Sequence, residues 1–160
     1  MNILIKEGRG RDPASKTDKG MDVLIKDGFI AAMEENIDES QADDVIDASG
    51  CMVMPGLIDL NAHFREPGLE HKETIRTGSR AAARGGYTTV CMMPNTKPVI
   101  DNVEMLQYVT DKAEEVTDIN LYTIAAMTAG QEGEYLTDFE ALKGAGAVAV
   151  SDNGGTIMNA

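Results

Sequence analysis

An apolar run, Cys51-Met52-Val53-Met54-Pro55-Gly56-Leu57-Ile58, gives way abruptly to Asp59-Leu60-Asn61-Ala62-His63-Phe64-Arg65-Glu66-Pro67-Gly68. No other stretch restricts the fold as much. The run lacks strict alternation, so it reads as a strand buried on both faces, the kind a parallel α/β sheet contains. Polar, ligand-capable residues crowd its carboxyl end, and Pro67-Gly68 stop the extended backbone. In a (β/α)8 barrel, active sites sit at that end of the strands. Side chains 61 and 63, two apart on an extended strand, are expected on one side, as two ligands of a single metal ion would need.

The residues that follow alternate between helix and strand patterns, the mark of an α/β fold. Residues 73–84 read as a helix stopped by Gly85-Gly86. Residues 87–93 read as a strand rich in β-branched side chains, closed by Pro94. Asp101 and Glu104 have capping-box spacing for a second helix, whose apolar face is Leu106, Val109, Ala113 and Val116. A third strand is expected over 119–127. Thr137 and Glu140 offer a capping box for a short helix ending at Gly144. A fourth strand is expected over 145–150, with Ser151-Asp152-Asn153-Gly154 at its end.

Four strands and three helices make half of a barrel that needs roughly 250 residues when complete. The expected fold class is therefore α/β: the first half of a (β/α)8 TIM-like barrel over residues 53–160, preceded by an N-terminal β-sandwich segment over residues 1–52. Half a barrel leaves an open parallel edge and an uncovered interior face. The 160 residues thus read as a truncated piece of a larger design.

In the N-terminal segment, residues 3–5 form an expected strand ending near Gly8, and residues 10–20 an expected polar loop. Residues 22–25 and 29–33 flank Lys26-Asp27-Gly28, and Asp-Gly between apolar runs signals a hairpin. An acidic loop over 34–44, the strand Val45-Ile46-Asp47 and a turn at Ser49-Gly50 complete it. This layer is expected to carry no chemistry of its own.

The formal net charge of -13 argues against binding to nucleic acid or anionic membranes. Cys51 and Cys91 lie in apolar runs and suggest reduced thiols and a cytoplasmic location, not a disulfide framework. No apolar run approaches the ~20 residues of a membrane span, and Met1-Asn2-Ile3 does not open a secretory signal.

The stretch from Asp59 to Gly68 resembles the metal-binding signature of the amidohydrolase superfamily, in which a strand-end His-x-His begins the metal site. Its continuation Arg-Glu-Pro-Gly, with Met93-Pro94-Asn95-Thr96 and Ser151-Asp152-x-Gly154, is similar more narrowly to class I dihydroorotases. Two departures stand out. Asn61 occupies the place of the first histidine, and an amide oxygen is a poor substitute for imidazole at zinc. Asp152-Asn153-Gly154 stands where the family usually has Asp-Asp-Gly.

The resemblance implies a cofactor of one or two zinc ions, with His63 and Asp152 as ligands and Asn61 at a ligand position. It implies substrate contacts from Arg65 and Asn95, and interconversion of N-carbamoyl-L-aspartate and L-dihydroorotate in pyrimidine biosynthesis. The family's catalytic acid/base comes from later strands, so no catalytic residue is assigned here. The implied partners are a small-molecule substrate, aspartate carbamoyltransferase and a second copy of the chain.

The residues also allow plainer roles. Arg65 has a guanidinium fork suited to a carboxylate, but Glu66 and Glu70 are ion-pair candidates. Asn95 and Asp152 both lie in ordinary turn sequences. Asp59 is expected to be buried and to orient its neighbours. His71, among charges, reads as solvated. Two functional readings follow: a dihydroorotase inactive as this truncated chain, or a non-catalytic dihydroorotase-like subunit that scaffolds aspartate carbamoyltransferase.

Overall fold

The computed structural model describes residues 1–157 and divides the chain into two compact units, Met1–Pro55 and Gly56–Ala160.

The first unit is a sheet of β1 (Asn2–Asp12), β2 (Thr17–Lys26), β3 (Phe29–Glu34), β4 (Asp44–Asp47) and β5 (Met52–Val53). The strands run in the order β3-β2-β1-β4, and β5 also pairs with β1. Asp27 and Gly28 turn the β2–β3 hairpin at φ 51° and 82°, the positive values that a tight hairpin turn requires. The expected polar loop over 10–20 is mostly strand instead. β1 and β2 stay paired from Asn2↔Lys26 out to Asp12↔Thr17, with a register shift between Ile5 and Gly8. Pairing satisfies the backbone of these polar residues, so the loop shrinks to a turn in which Asp12 accepts from the amides of Ala14 and Ser15.

Leu4, Leu24 and Ile37 form the core of this unit. Asp22 is buried beside them, only 2% exposed. Its carboxylate accepts from the amides of Glu7 and Ile37, each at 2.9 Å, and lies 3.6 Å from Lys6 Nζ. Burial pushes this carboxyl up, but the two amides and Lys6 together hold it below the ordinary carboxylate value.

The second unit runs β6 (Leu57–Ala62), α1 (Ile75–Arg84), β7 (Tyr87–Met92), α2 (Val103–Val116), β8 (Asn120–Ala125), α3 (Phe139–Gly144) and β9 (Ala149–Val150). The four strands are parallel and ordered β6-β7-β8-β9. This is the expected strand–helix succession of the first half of a (β/α)8 barrel. Its core joins Val90, Met92 and Ala125 of the sheet to Ile75, Leu106, Val109, Ala113 and Leu142 of the helices.

The apolar run over 51–58 is not the single buried strand expected from its composition. Pro55-Gly56 divide it, leaving Met52 and Val53 paired with β1 and Leu57 and Ile58 in β6. β6 lies at the edge of its sheet, where Ile58 and Leu60 are 61% and 69% exposed. Asp59 is only half-buried.

Helix starts also differ in detail. Thr74 and Thr77 exchange hydrogen bonds in a capping box at α1. Asn102, not Asp101, caps α2 by accepting from the Met105 amide at 3.0 Å. Asp138, not Thr137, caps α3 by accepting from the Ala141 amide at 2.9 Å. In both places the expected cap is engaged elsewhere. Asp101 accepts from the Gly130 amide, and the Thr137 hydroxyl donates to the carbonyl of Ala126.

Candidate active site

The carboxyl ends of β6 and β7 are held together by backbone hydrogen bonds. The Met93 amide donates to Ala62 O at 2.8 Å, and the Lys97 amide donates to Pro67 O at 2.9 Å. Gly68 sits at φ 85° against the Lys97 carbonyl, and a Cβ there would collide with it. Phe64, buried, rests on α1 where Gly78 leaves room for its ring. The Pro67-Gly68 pair and Phe64 thus serve loop packing and frame the polar residues among them.

Arg65 has φ 65°, and the amide of Glu66 donates across it to Phe64 O at 2.8 Å. This is a γ-turn with positive φ, a strained conformation that clusters at functional sites. Neither expected ion pair forms. Glu66 accepts from the Ile75 amide at 2.8 Å, at the start of α1, and Glu70 accepts from the Gly68 amide at 2.7 Å. Among the described residues, Arg65 makes no salt bridge. Its half-buried guanidinium keeps its donors for another acceptor.

His63 and Asn95 meet directly, with Nδ1 and Oδ1 3.0 Å apart. An amide oxygen only accepts, so Nδ1 carries a proton in this contact. Asn61 turns to a different partner. Its Oδ1 accepts from Asn153 Nδ2 at 3.0 Å, and its backbone amide donates to Asp59 Oδ1 at 2.8 Å. The two positions expected to grip one ion therefore bond to the ends of different strands, His63 toward β7 and Asn61 toward β9.

Asp152 is buried, and it faces the loop after β8. Its Oδ1 accepts from the amides of Met127 and Thr128 at 2.8 and 3.1 Å, and its Oδ2 accepts from the Thr128 hydroxyl. Thr128 Oγ1 also accepts from the Gly133 amide at 2.9 Å. The residue of this turn that reaches the end of β6 is Asn153. In the sequence Asn153 stands out only as a departure from Asp-Asp-Gly, and the charge of Asp152 makes that residue the expected ligand. The two-residue strand β9 sets which neighbour points across the sheet, and so short a strand has no legible alternation.

These donors do not by themselves fit a zinc ion. Catalytic zinc takes three protein ligands from His, Cys and carboxylate. His63 is the one imidazole at the strand ends, Asn61 contributes a neutral amide, and both oxygens of Asp152 are engaged. Among the described residues, no three His, Cys, Asp or Glu side chains are grouped to share an ion. Nearby, burial pushes the Cys91 thiol up, and the charge of Asp59 adds to the shift, so this thiol is a poor thiolate ligand. His71 is exposed, as expected from its charged surroundings.

Residues 50–160 match the family described as dihydro-orotase-like. The chain is 50% identical over 160 residues to a dihydroorotase of Solibacter usitatus, a match covering 100% of this chain and 37% of that protein. It is 45% identical over 160 residues to a dihydroorotase of Pelobacter propionicus, covering 100% of this chain and 38% of that one. Among solved structures, an L-hydantoinase (dihydropyrimidinase) from Arthrobacter aurescens superposes with a TM-score of 0.79 at 25% identity. That match covers 92% of this chain and 32% of the hydantoinase. The chain spans a little over a third of the length of the curated relatives it matches.

Proposed function

The chain belongs to the dihydro-orotase-like family, and on that premise we propose that it forms part of a cyclic amidohydrolase site for N-carbamoyl-L-aspartate and L-dihydroorotate, in pyrimidine biosynthesis in the cytoplasm. The observation that carries this reading is the paired loop at the ends of β6 and β7, where Arg65 makes no salt bridge among the described residues and Asn95 is oriented by His63. The guanidinium fork of Arg65 binds a substrate carboxylate in two parallel hydrogen bonds. Asn95 spends its oxygen on His63 and keeps its amide hydrogens to donate to a second substrate oxygen. Zinc, where the family's ligand set is complete, lowers the pKa of bound water and polarises the amide carbonyl. The donors of this chain do not complete that set, so this chain is expected to bind substrate without turning it over.

Calorimetric titration of N-carbamoyl-L-aspartate tests the reading. Arg65→Ala is expected to weaken binding at least about tenfold, and Arg65→Lys to recover only part of it, because an ammonium lacks the fork. Equal binding by wild type and Arg65→Ala would sink the proposal.

A second reading is favoured by the Asn61–Asn153 hydrogen bond, which joins two neutral amides where the family pattern has charged or metal-binding side chains. In this reading the chain is a non-catalytic dihydroorotase-like subunit, kept for assembly with aspartate carbamoyltransferase or with a second copy of itself. Co-sedimentation with that transferase, together with no binding of N-carbamoyl-L-aspartate, would favour it over the first.

A further inference from the structure

Two positions at which this chain departs from the dihydroorotase motifs it resembles touch each other. Asn61 stands in place of the first histidine of His-x-His, and Asn153 in place of the second aspartate of Asp-Asp-Gly. They are 92 residues apart in sequence, yet Asn153 Nδ2 donates to Asn61 Oδ1 at 3.0 Å. β7 and β8 lie between β6 and β9, so this bond reaches across the carboxyl end of the sheet.

An amide offers a cation only its oxygen. The oxygen of Asn61 already accepts from Asn153, and the Asn153 amide turns its positive end toward β6. A cation placed between them would meet a donor and would have to displace a hydrogen bond. A carboxylate at position 153 would behave in the opposite way. It would bring a negative charge to the strand ends and, with the Asn61 amide turned to donate to one of its oxygens, keep the other free for a cation. An asparagine at 153 brings no such charge.

We propose that Asn61 and Asn153 are a charge-neutral tie that shuts divalent cations out of this end of the sheet. The tie joins β6 to β9 by a hydrogen bond where a shared ion would join them by charge. It leaves His63 as the single imidazole at the strand ends. The inference rests on the functional reading only in taking these strand ends as one site. Its test reads zinc and the tie, not the substrate.

Zinc chloride is titrated against the full chain in competition with a chromogenic chelator, for wild type, N61H, N153D and N61H/N153D. Wild type and both single variants are expected to agree within about tenfold, the lower end of the ~10–100-fold range that changes around a metal site produce. The double variant is expected to gain more than the product of the single effects. Additive effects, or wild-type binding as tight as that of the double variant, overturn the proposal. Thermal melts in chelator give a second reading without metal, on N61A, N153A and N61A/N153A. Each single change deletes the same hydrogen bond, so the double variant is expected to lose less than the sum of the two. Strict additivity there removes the tie, even if N61H/N153D fails to fold. Titration of N-carbamoyl-L-aspartate into the same samples keeps the two ideas apart. Absent substrate binding with intact coupling would sink the functional reading and leave the tie standing.

Discussion

His63 Nδ1 and Asn95 Oδ1 lie 3.0 Å apart, so a residue of the loop after β7 decides which nitrogen of the β6-end imidazole carries the proton. Asn95→Ala removes the acceptor and is expected to release His63 from the Nδ1–H tautomer. Asn95→Asp keeps an oxygen there and is expected to preserve it. Long-range proton–nitrogen NMR of the ring distinguishes the tautomers. An unchanged tautomer in Asn95→Ala would show that the hydrogen bond does not set it.

The Pro67-Gly68 end of the motif makes a prediction about stability instead of binding. Gly68 has φ 85° and no room for a Cβ beside the Lys97 carbonyl. Gly68→Ala is expected to destabilise the protein by more than about 2 kcal/mol, since left-handed backbone alone costs an L-residue roughly 1–2 kcal/mol. Gly144→Ala is the control. Gly144 closes α3 with nothing within 4 Å of an added Cβ. There the change is expected to stabilise by about 0.4–1 kcal/mol. Thermal melts of the two variants should move in opposite directions.

The strand–helix alternation after residue 56 was legible because its signals are local. Gly85-Gly86 end α1, and the β-branched run beginning at Tyr87 makes β7. What the sequence left open depends on partners far along the chain. Asp101 looked like the cap of α2, but it serves the Gly130 amide, 29 residues away, and Asn102 caps the helix. The strand over 3–5 grew to Asp12 because β2 pairs with its polar half. The candidate site divides in the same way. The motifs single out His63, Arg65 and Asn95 as candidates, and the loops that carry them meet. That Asn153 faces Asn61 while Asp152 faces Thr128 depends on the backbone direction through two residues of β9, which no local pattern encodes.

The first unit carries a carboxylate whose titration should appear in its acid stability. Burial raises the Asp22 carboxyl, but the amides of Glu7 and Ile37 and the ammonium of Lys6 outweigh it and hold the folded value below the ordinary 3.8. A lowered folded pKa means that folding favours the ionised form. Its stabilisation is fully present above the unfolded value and is lost as pH falls through the folded one. Unfolding of the wild type followed by circular dichroism should show stability flat above about pH 5 and falling below about pH 4, where carboxylates of ordinary pKa begin to protonate. Asp22→Asn should be less stable at neutral pH and should lose part of that slope. An identical slope in the variant would mean that other carboxylates account for it.

Asp152 gives the last prediction, because two roles compete for it and they respond differently to metal. As a zinc ligand it would matter only when zinc is bound. In the structure its oxygens take the amides of Met127 and Thr128 and the hydroxyl of Thr128, and Thr128 Oγ1 in turn takes the Gly133 amide. Asp152→Ala would leave buried donors on the β8 loop without an acceptor, at roughly 1–3 kcal/mol each. The loss should be the same in chelator and in added zinc. Asp152→Asn keeps one acceptor oxygen, so its loss should be smaller. Hydrogen exchange should locate the damage at the Met127, Thr128 and Gly133 amides. A variant that melts like wild type in chelator and falls behind only in zinc would assign Asp152 to metal binding and overturn its role as the clamp of this loop.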